Sequence, residues 1–427
     1  PHEKATKSDI AIENINFQHQ QEAQRISYET LVSNEGASLK QYNLIDFKNH
    51  KIFDERSSFL SLYSRNSQIT LHKNTVYEIT DKTQNSITLK HVTTEGLEVV
   101  RYWQFLPLAL ITEEITVKNI SAKPLKVELG LDIVKVEEKK PAAGFFNPGV
   151  SADSLVLKNN KHQKVTFADL KKQTKEITDF SYIGIDEQFF LMAFIPSQKY
   201  ISKVQSSVKE IDNLEQLSIN FTLNSSILMP SEEQKFAHKI FIGPKQVDLL
   251  SSITPPLDEN IDFGWFGILS RPMLWMLVSI NDWVHNYGLA IILITLIIKL
   301  LTYPLTKKSF DSQQEMKILA PKIKEIQAKY SHDRTLLGQK QMELYKEHGV
   351  NPLAGCLPLF IQFPIWIAFF QMLRNSVELY NQPFFAWITD LTLADPYYIL
   401  PVLMGVSIDR KSTRLNSSHT DISRMPS

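Results

Sequence analysis

From about Ser27 to Ile242 apolar and polar residues alternate in short runs. Leu125, Val127, Leu129, Leu131 and Ile133 are interleaved with Lys126, Glu128, Gly130 and Asp132. Leu217, Ile219, Phe221 and Leu223 alternate with Ser218, Asn220 and Thr222, and the pairs Ile87/Leu89 and Ile115/Val117 repeat the theme. Successive side chains on a strand face opposite ways, so period two predicts half-buried antiparallel strands. Strands continued over residues 21–250 predict a large two-sheet sandwich. Residues 1–20 read as a flexible polar lead-in, and Asp169 to Thr178 as helix or loop. Ser251 to Ile261, SSITPPLDENI, has paired prolines and acids, which marks 251–262 as a linker.

Beyond the linker the pattern changes. Residues 263–285 mix Trp265, Phe266, Trp275 and Trp283 with Arg271, Asn281 and Asp282, and Pro272 is placed to start a helix. They predict an amphipathic helix lying in a membrane interface. Residues 286–306 predict a span: Gly288 to Leu305 is an apolar run with a single charge, Lys299. As helix that run covers about 27 Å, against a bilayer core of roughly 30 Å. A charge at that depth costs about 2.5–3.5 kcal/mol on insertion scales. In 307–349, Met316, Leu319, Ile323, Ile326 and Tyr330 form a heptad-like seam, Ser331-His332-Asp333 a turn, and Leu337, Leu344 and Tyr345 a second amphipathic helix closed by Gly349. Together they predict an antiparallel helical hairpin. A second span falls over 352–373, without formal charge but with Pro358, Pro364, Gln362 and Gln371. Residues 374–396 follow as an aromatic loop. The apolar stretch 397–408 reaches only about 18 Å as helix, too short to cross, and reads as a truncated third span. Residues 409–427 have neither periodicity nor an apolar face and are expected to be foreign to the native sequence. A chain starting at Pro1, with no export signal before its outer domain, is expected to be truncated there too.

The chain therefore reads as multi-domain, an all-β sandwich followed by an α-helical polytopic membrane domain. Lys plus Arg and Asp plus Glu are both 46, so no polyanionic partner is implied and no nucleic acid is recognised directly. The balance conceals an asymmetry: residues 1–262 carry 30 basic and 34 acidic side chains, residues 307–349 carry 9 and 6. The positive-inside rule places the hairpin in the cytoplasm, and 1–262 and 374–396 outside. The lone Cys356 permits no internal disulfide and reads as a small packing residue. No GxSxG, HExxH, P-loop or GxGxxG pattern is present. The acid pairs Glu113-Glu114, Glu137-Glu138 and Glu232-Glu233 would point to opposite faces of their strands. The expectation is a non-enzyme without metal or cofactor.

The stretches NYGLAIILITLIIKLLTYPLTKKSF, NPLAGCLPLFIQFPIWIAFFQML and DPYYILPVLMG resemble the YidC family of bacterial membrane-protein insertases. So do YIGIDEQFFLMAFIP, FIGPK and DFGWFGILSRP in and after the strand-rich region. The resemblance implies a Gram-negative-type member whose sandwich is a periplasmic supersandwich and whose membrane part is two complete core spans and part of a third, in the inner membrane. It implies an insertase and folding chaperone that passes nascent membrane proteins through a hydrophilic groove into the lipid bilayer, alone or with the Sec translocon, and with a ribosome as a further partner. Lys299 falls where the family carries a groove cation, usually Arg; a point charge here replaces a planar fork. Thr295 and Tyr303 lie one turn either side of Lys299 on the same helix face. Gln362 on the second span is the expected fourth lining residue, and Lys307, Lys308, Lys322 and Lys324 mark the cytoplasmic hairpin as the substrate-handling element. Three other readings compete. Lys299 could snorkel to the inner boundary. The chain could be a transporter or channel, which predicts a matching broken span in a second repeat; none is visible. It could be a membrane-anchored carbohydrate-binding module, which predicts exposed aromatic clusters, with Tyr102-Trp103 the candidate.

Overall fold

Alternation becomes burial in the strand Leu97–Leu106, where Leu97, Val99, Arg101, Trp103 and Phe105 are enclosed and the residues between them are not. The computed structural model describes residues 14–19, 26–53, 56–139, 154–159, 161–197, 199–349 and 357–407. The chain divides into two units, 1–262 and 263–427. Residues 352–356 of the second expected span, and 409–427, lie outside the described residues.

The first unit holds two nine-stranded antiparallel sheets. One runs Asn14–His19, Tyr28–Ser33, Ser38–Leu44, Ser58–Ser64, Leu129–Glu138, Leu214–Leu223, Ile201–Ile211 and Lys175–Ile177, with His50–Phe53 beside Ser38–Leu44. The other runs His162–Thr166, Ser154–Lys158, Tyr182–Asp186, Phe190–Pro196, Glu233–Pro244, Leu110–Asn119, Leu97–Leu106, Ser86–Val92 and Glu78–Lys82. Leu217, Ile219, Phe221 and Leu223 are all buried, as are Ile87, Leu89, Ile115 and Val117. Each such side chain contributes roughly 1.5–3 kcal/mol of apolar burial.

Four expectations need correction. The alternating run from Leu125 to Ile133 is two strands: Leu125–Val127 pairs with Ser226–Leu228 in a separate ribbon, and Leu129–Glu138 is central in the first sheet. Glu128 is the step between them, its carbonyl accepting from Arg65 N–H at 2.7 Å. The lead-in is not wholly structureless, because Asn14–His19 adds an edge strand against Tyr28–Ser33 and buries Ile15. Asp169 to Thr178 is both helix and strand: α1 (Phe167–Lys172), capped by the Thr166 hydroxyl, leads into Lys175–Ile177. The linker is seated on the sandwich. After α2 (Val247–Ser252), Leu257 and Ile261 are buried, and buried Asn260 donates to Tyr182 Oη at 3.0 Å and accepts from His162 Nε2 at 3.0 Å. Its proline and acid composition describes the local backbone, while these long-range contacts fix its place.

The second unit is helical: α3 (Gly267–Val284), α4 (Tyr287–Lys329), α5 (Arg334–Glu347) and α6 (Leu357–Asn375). Among the described residues one helix, α4, is both long and apolar enough to cross a membrane. The expected break after Thr306 does not occur. α4 runs unbroken for 43 residues, some 64 Å, so the first helix of the hairpin is the same rod as the span. The change in polarity at Lys307 is not matched by any change in the backbone. Pro304 and Pro321 sit inside it, each removing one helical N–H. Pro272 likewise lies inside α3, which starts at Gly267. Asp333 caps α5 with Oδ1, which accepts from Thr335 and Leu336 N–H at 3.0 Å each. The hairpin closes on Leu319 and Leu344, with Met316, Ile323, Ile326 and Tyr345 packed round them. Residues 399–407 are helical and exposed.

Candidate functional site

α3 and α4 meet at a tight turn. His285 takes a left-handed conformation and donates its N–H to Asn281 O at 2.7 Å, and Asn286 then caps α4, its Oδ1 accepting from Leu289 N–H at 3.0 Å. Small and apolar residues set how these helices pack. Ala290 and Ile294 of α4 are fully buried, as are Ala368 and Met372 of α6. Buried Ser270 of α3 donates its hydroxyl to Ala368 O at 2.9 Å. The opposite side of α3 and the residues before it leave Trp265, Ile268, Trp275 and Trp283 exposed, an aromatic face suited to an interface.

Lys299 stands on a different face of α4 from the buried Ala290–Ile294 row, about 100° away from the continuation of that row at Ile298. Thr295, Lys299 and Tyr303 are all exposed, and Leu296, Leu300 and Leu301 around them are exposed too. The Lys299 ammonium has no partner among the described residues. Thr295 donates its hydroxyl to Ile291 O at 2.7 Å, as Thr302 and Thr306 do to Ile298 and Thr302 at 2.9 Å each. These hydroxyls keep lone pairs free to accept but have spent their proton on their own helix. Gln362 is half-buried on α6, which packs more extensively on α3 than on α4. Three of the four candidate residues share a face of α4, and among the described residues no hydrogen bond joins Gln362 to Lys299, Thr295 or Tyr303. The hairpin lysines Lys307, Lys308, Lys322 and Lys324 are all exposed. Lys322 Nζ lies 3.1 Å from His348 Nε2. The His348 Nδ1 faces Leu344 O at 3.0 Å and must carry the ring proton, so Nε2 accepts from the ammonium.

The sandwich contains a polar cluster that the sequence reading did not single out. Arg101 and Glu113 form an ion pair with both side chains fully enclosed. Arg101 also donates to Leu60 O at 2.8 Å in the other sheet and to Gly36 O at 2.9 Å in a turn between two of its strands. His238 Nε2 lies 2.8 Å from Glu113 Oε2, and its Nδ1 2.9 Å from Tyr200 Oη. Burial, with the Glu113 carboxylate adding to it, holds the Tyr200 hydroxyl well above its ordinary value. Without solvent access this cluster can tie sheets together but cannot meet a substrate. A signal was available: Arg101 keeps the parity of Val99 and Trp103, Glu113 that of Ile111 and Ile115, and His238 that of Phe236 and Ile240. The adjacent Glu114 faces outward, paired with Lys235 at 2.9 Å. Trp103 is buried and only Tyr102 of that pair is exposed, which removes the aromatic platform of the carbohydrate-binding reading.

Two family models match. Residues 26–276 match the YidC periplasmic domain, and residues 279–425 match the 60Kd inner membrane protein. The second match runs into the stretch expected to be foreign. Relatives named membrane protein insertase YidC are 38% identical over 262 residues in Pasteurella multocida, covering 61% of this chain and 48% of that protein. In Syntrophus aciditrophicus the figures are 36% over 313 residues, 72% and 56%, and in Methylobacillus flagellatus 32% over 334 residues, 76% and 58%. The chain spans about half the length of the curated relatives it matches. A galactose mutarotase-like protein from Lactobacillus casei superposes with a TM-score of 0.42 at 9% identity, over 54% of this chain and 100% of that one. At that distance it carries no argument about activity.

Proposed function

We propose a mechanism from one premise: the chain belongs to the YidC family of membrane-protein insertases. It is an inner-membrane protein with a periplasmic β-sandwich. Its work is to accept a nascent membrane protein and release it into lipid. The polar or acidic tail of that protein enters a wet groove along the Thr295–Lys299–Tyr303 face of α4, with Gln362 of α6 at its border. The apolar segment passes along the neighbouring Leu296, Leu300 and Leu301 into the bilayer, where hydrophobic transfer drives the step and no bond is made or broken. The exposed hairpin, with Lys307, Lys308, Lys322 and Lys324, receives the chain on the cytoplasmic side. The protein acts alone or beside the Sec translocon, takes chains from a ribosome, and assists their folding.

The observation carrying this reading is the exposed Lys299 ammonium in the middle of an apolar helix. A cation that costs about 2.5–3.5 kcal/mol there is retained by facing water or a partner. Insertion of an acidic-tailed substrate is the test. Lys299→Ala should slow it at least about tenfold, the low end for one lost charge-assisted contact of ~1.5–3 kcal/mol, and Lys299→Arg should not. A neutral-tailed substrate should be indifferent to both. Equal insertion of every substrate by Lys299→Ala would assign the residue to snorkelling.

A further inference from the structure

The strand Ser58–Ser64 carries a bulge. Asp132 of Leu129–Glu138 pairs with Ser61 but Ile133 pairs with Phe59, so Leu60 is the extra residue, and its φ is 62°. A leucine in that left-handed region is strained, and a bulge of this kind re-aims the side chains around it. Ser58 and Ser61 are three apart, and regular alternation would put them on opposite faces. Here they face the same way, hydroxyl to hydroxyl, beside their strand partners Val134 and Asp132.

The segment between this strand and Glu78–Lys82 returns to that face. Gly36 N–H donates to Thr75 O at 2.8 Å, and Tyr77 N–H to Asn34 O at 3.0 Å. Gly36 has a φ of 70°, and a Cβ on it would meet Lys73 O at 2.3 Å, so only glycine lets the segment close this tightly. The closure leaves a cavity of about 290 Å³ lined by Glu35, Lys40, Ser58, Ser61, Lys73 and Asp132 among others.

Its charges are not all spent. Asp132 is 2% exposed. Its Oδ2 pairs with Lys73, whose ammonium also lies 4.8 Å from the centre of the Tyr63 ring. Its Oδ1 is enclosed and has no hydrogen-bond partner among the described residues. Burial raises the Asp132 carboxyl above its ordinary value, by more than the Lys73 ammonium lowers it, so the carboxylate is short of a donor. The Glu35 carboxylate and the Lys40 ammonium, both half-buried, have no partner among the described residues and do not pair with each other.

We propose that this cavity binds a small zwitterion, a free α-amino acid, its ammonium held by Asp132 and Glu35 and its carboxylate by Lys40 and the serine pair. The lining decides the class. Lys73 and Asp132 cancel, which leaves one negative and one positive side chain, and a ligand with both signs satisfies both at once. A simple cation or anion leaves one of them unpaired, and a polypeptide terminus carries one sign only. Whichever serine accepts from the other keeps its own proton to donate. The volume falls below the roughly 300–1,000 Å³ of pockets for drug-sized ligands, in keeping with a small occupant. The site is built wholly from the sandwich, so it stands or falls apart from the groove.

The test is isothermal titration calorimetry on the purified full chain in detergent, with each common L-amino acid in turn and with acetate, methylamine and glucose as controls. At least one amino acid should bind, and the controls should not. The amide of the tightest binder keeps the ammonium and lacks the carboxylate. It should bind at least about tenfold more weakly, the low end for one charge-assisted contact, and should be indifferent to Lys40→Gln. Lys40→Gln and Glu35→Gln each remove one half-buried charge and should weaken the parent amino acid by at least the same factor. Asp132→Asn should do so too; where loss of the Lys73 pair depletes that variant, the other two decide. Equal binding of amino acid and amide, unchanged affinity in Lys40→Gln and Glu35→Gln, a preference for glucose, or binding of no amino acid each overturns the proposal.

Discussion

Arg101 has its whole guanidinium enclosed and shared between Glu113, the Leu60 carbonyl of the facing sheet and the Gly36 carbonyl of the turn before Ser38–Leu44. Removing one member of such a buried pair costs about 3–5 kcal/mol, because the other is left charged in a low dielectric. Glu95 is the opposite case, an exposed acid acting through geometry. Its small burial acts to raise its pKa, but the Thr94 hydroxyl and the Thr70 N–H and hydroxyl all donate to it and bring it down to about 2, from an ordinary 4.5. The folded state therefore binds fewer protons than the unfolded one between those values. Glu95 contributes stability that is complete above about pH 5 and is lost as pH falls toward about 2. Urea midpoints of wild type and Glu95→Gln should converge across that range and differ most near neutrality; a constant difference would remove the pH linkage. Polar residues at inward strand parity, Arg101 and His238 among them, were open to inspection in the sequence. Their meaning was not, because Gly36, Leu60 and Tyr200 come from distant parts of the chain.

At the scale of elements, local pattern named the type of structure well and its continuity badly. Period two placed the strands, but it could not see the change of partner at Glu128, since both strands alternate in the same phase. Hydropathy located the span and the seam of the hairpin, but it divided at Lys307 a helix that the backbone carries through. The contact of Asn286 with Phe384 joins residues 98 apart and leaves no trace in either local sequence. The hairpin itself is held by a small seam, so Leu344→Ala should destabilise it by about 2 kcal/mol, the low end for a buried leucine. Hydrogen exchange should show this as faster exchange in α5 with the sandwich strands unaffected. Loss of protection in both would mean that the units do not open separately.

For the whole molecule, charge decides which way round the chain sits. The acidic sandwich and the basic hairpin give one expected orientation, in which protease added to the periplasmic face cleaves within 26–262 and spares 307–349. Cleavage of the hairpin in sealed cells would reverse it. The shared face of Thr295, Lys299 and Tyr303 was legible because their spacing on one helix sets it; the placing of Gln362 was not, because it depends on how α6 packs against α3 rather than on its own helix.

The unbroken α4 also has a mechanical side. Pro304 is its weakest point in the span, where one rung of the backbone ladder is missing. It lies 25 residues from the cytoplasmic end and 5 from Lys299, which makes a lever with arms of about 38 Å and about 7.5 Å. A flexing of some 10° at that fulcrum sweeps the far tip through about 7 Å and shifts the lysine by little more than 1 Å. A displacement at the far tip would thus reach the charge geared down about fivefold.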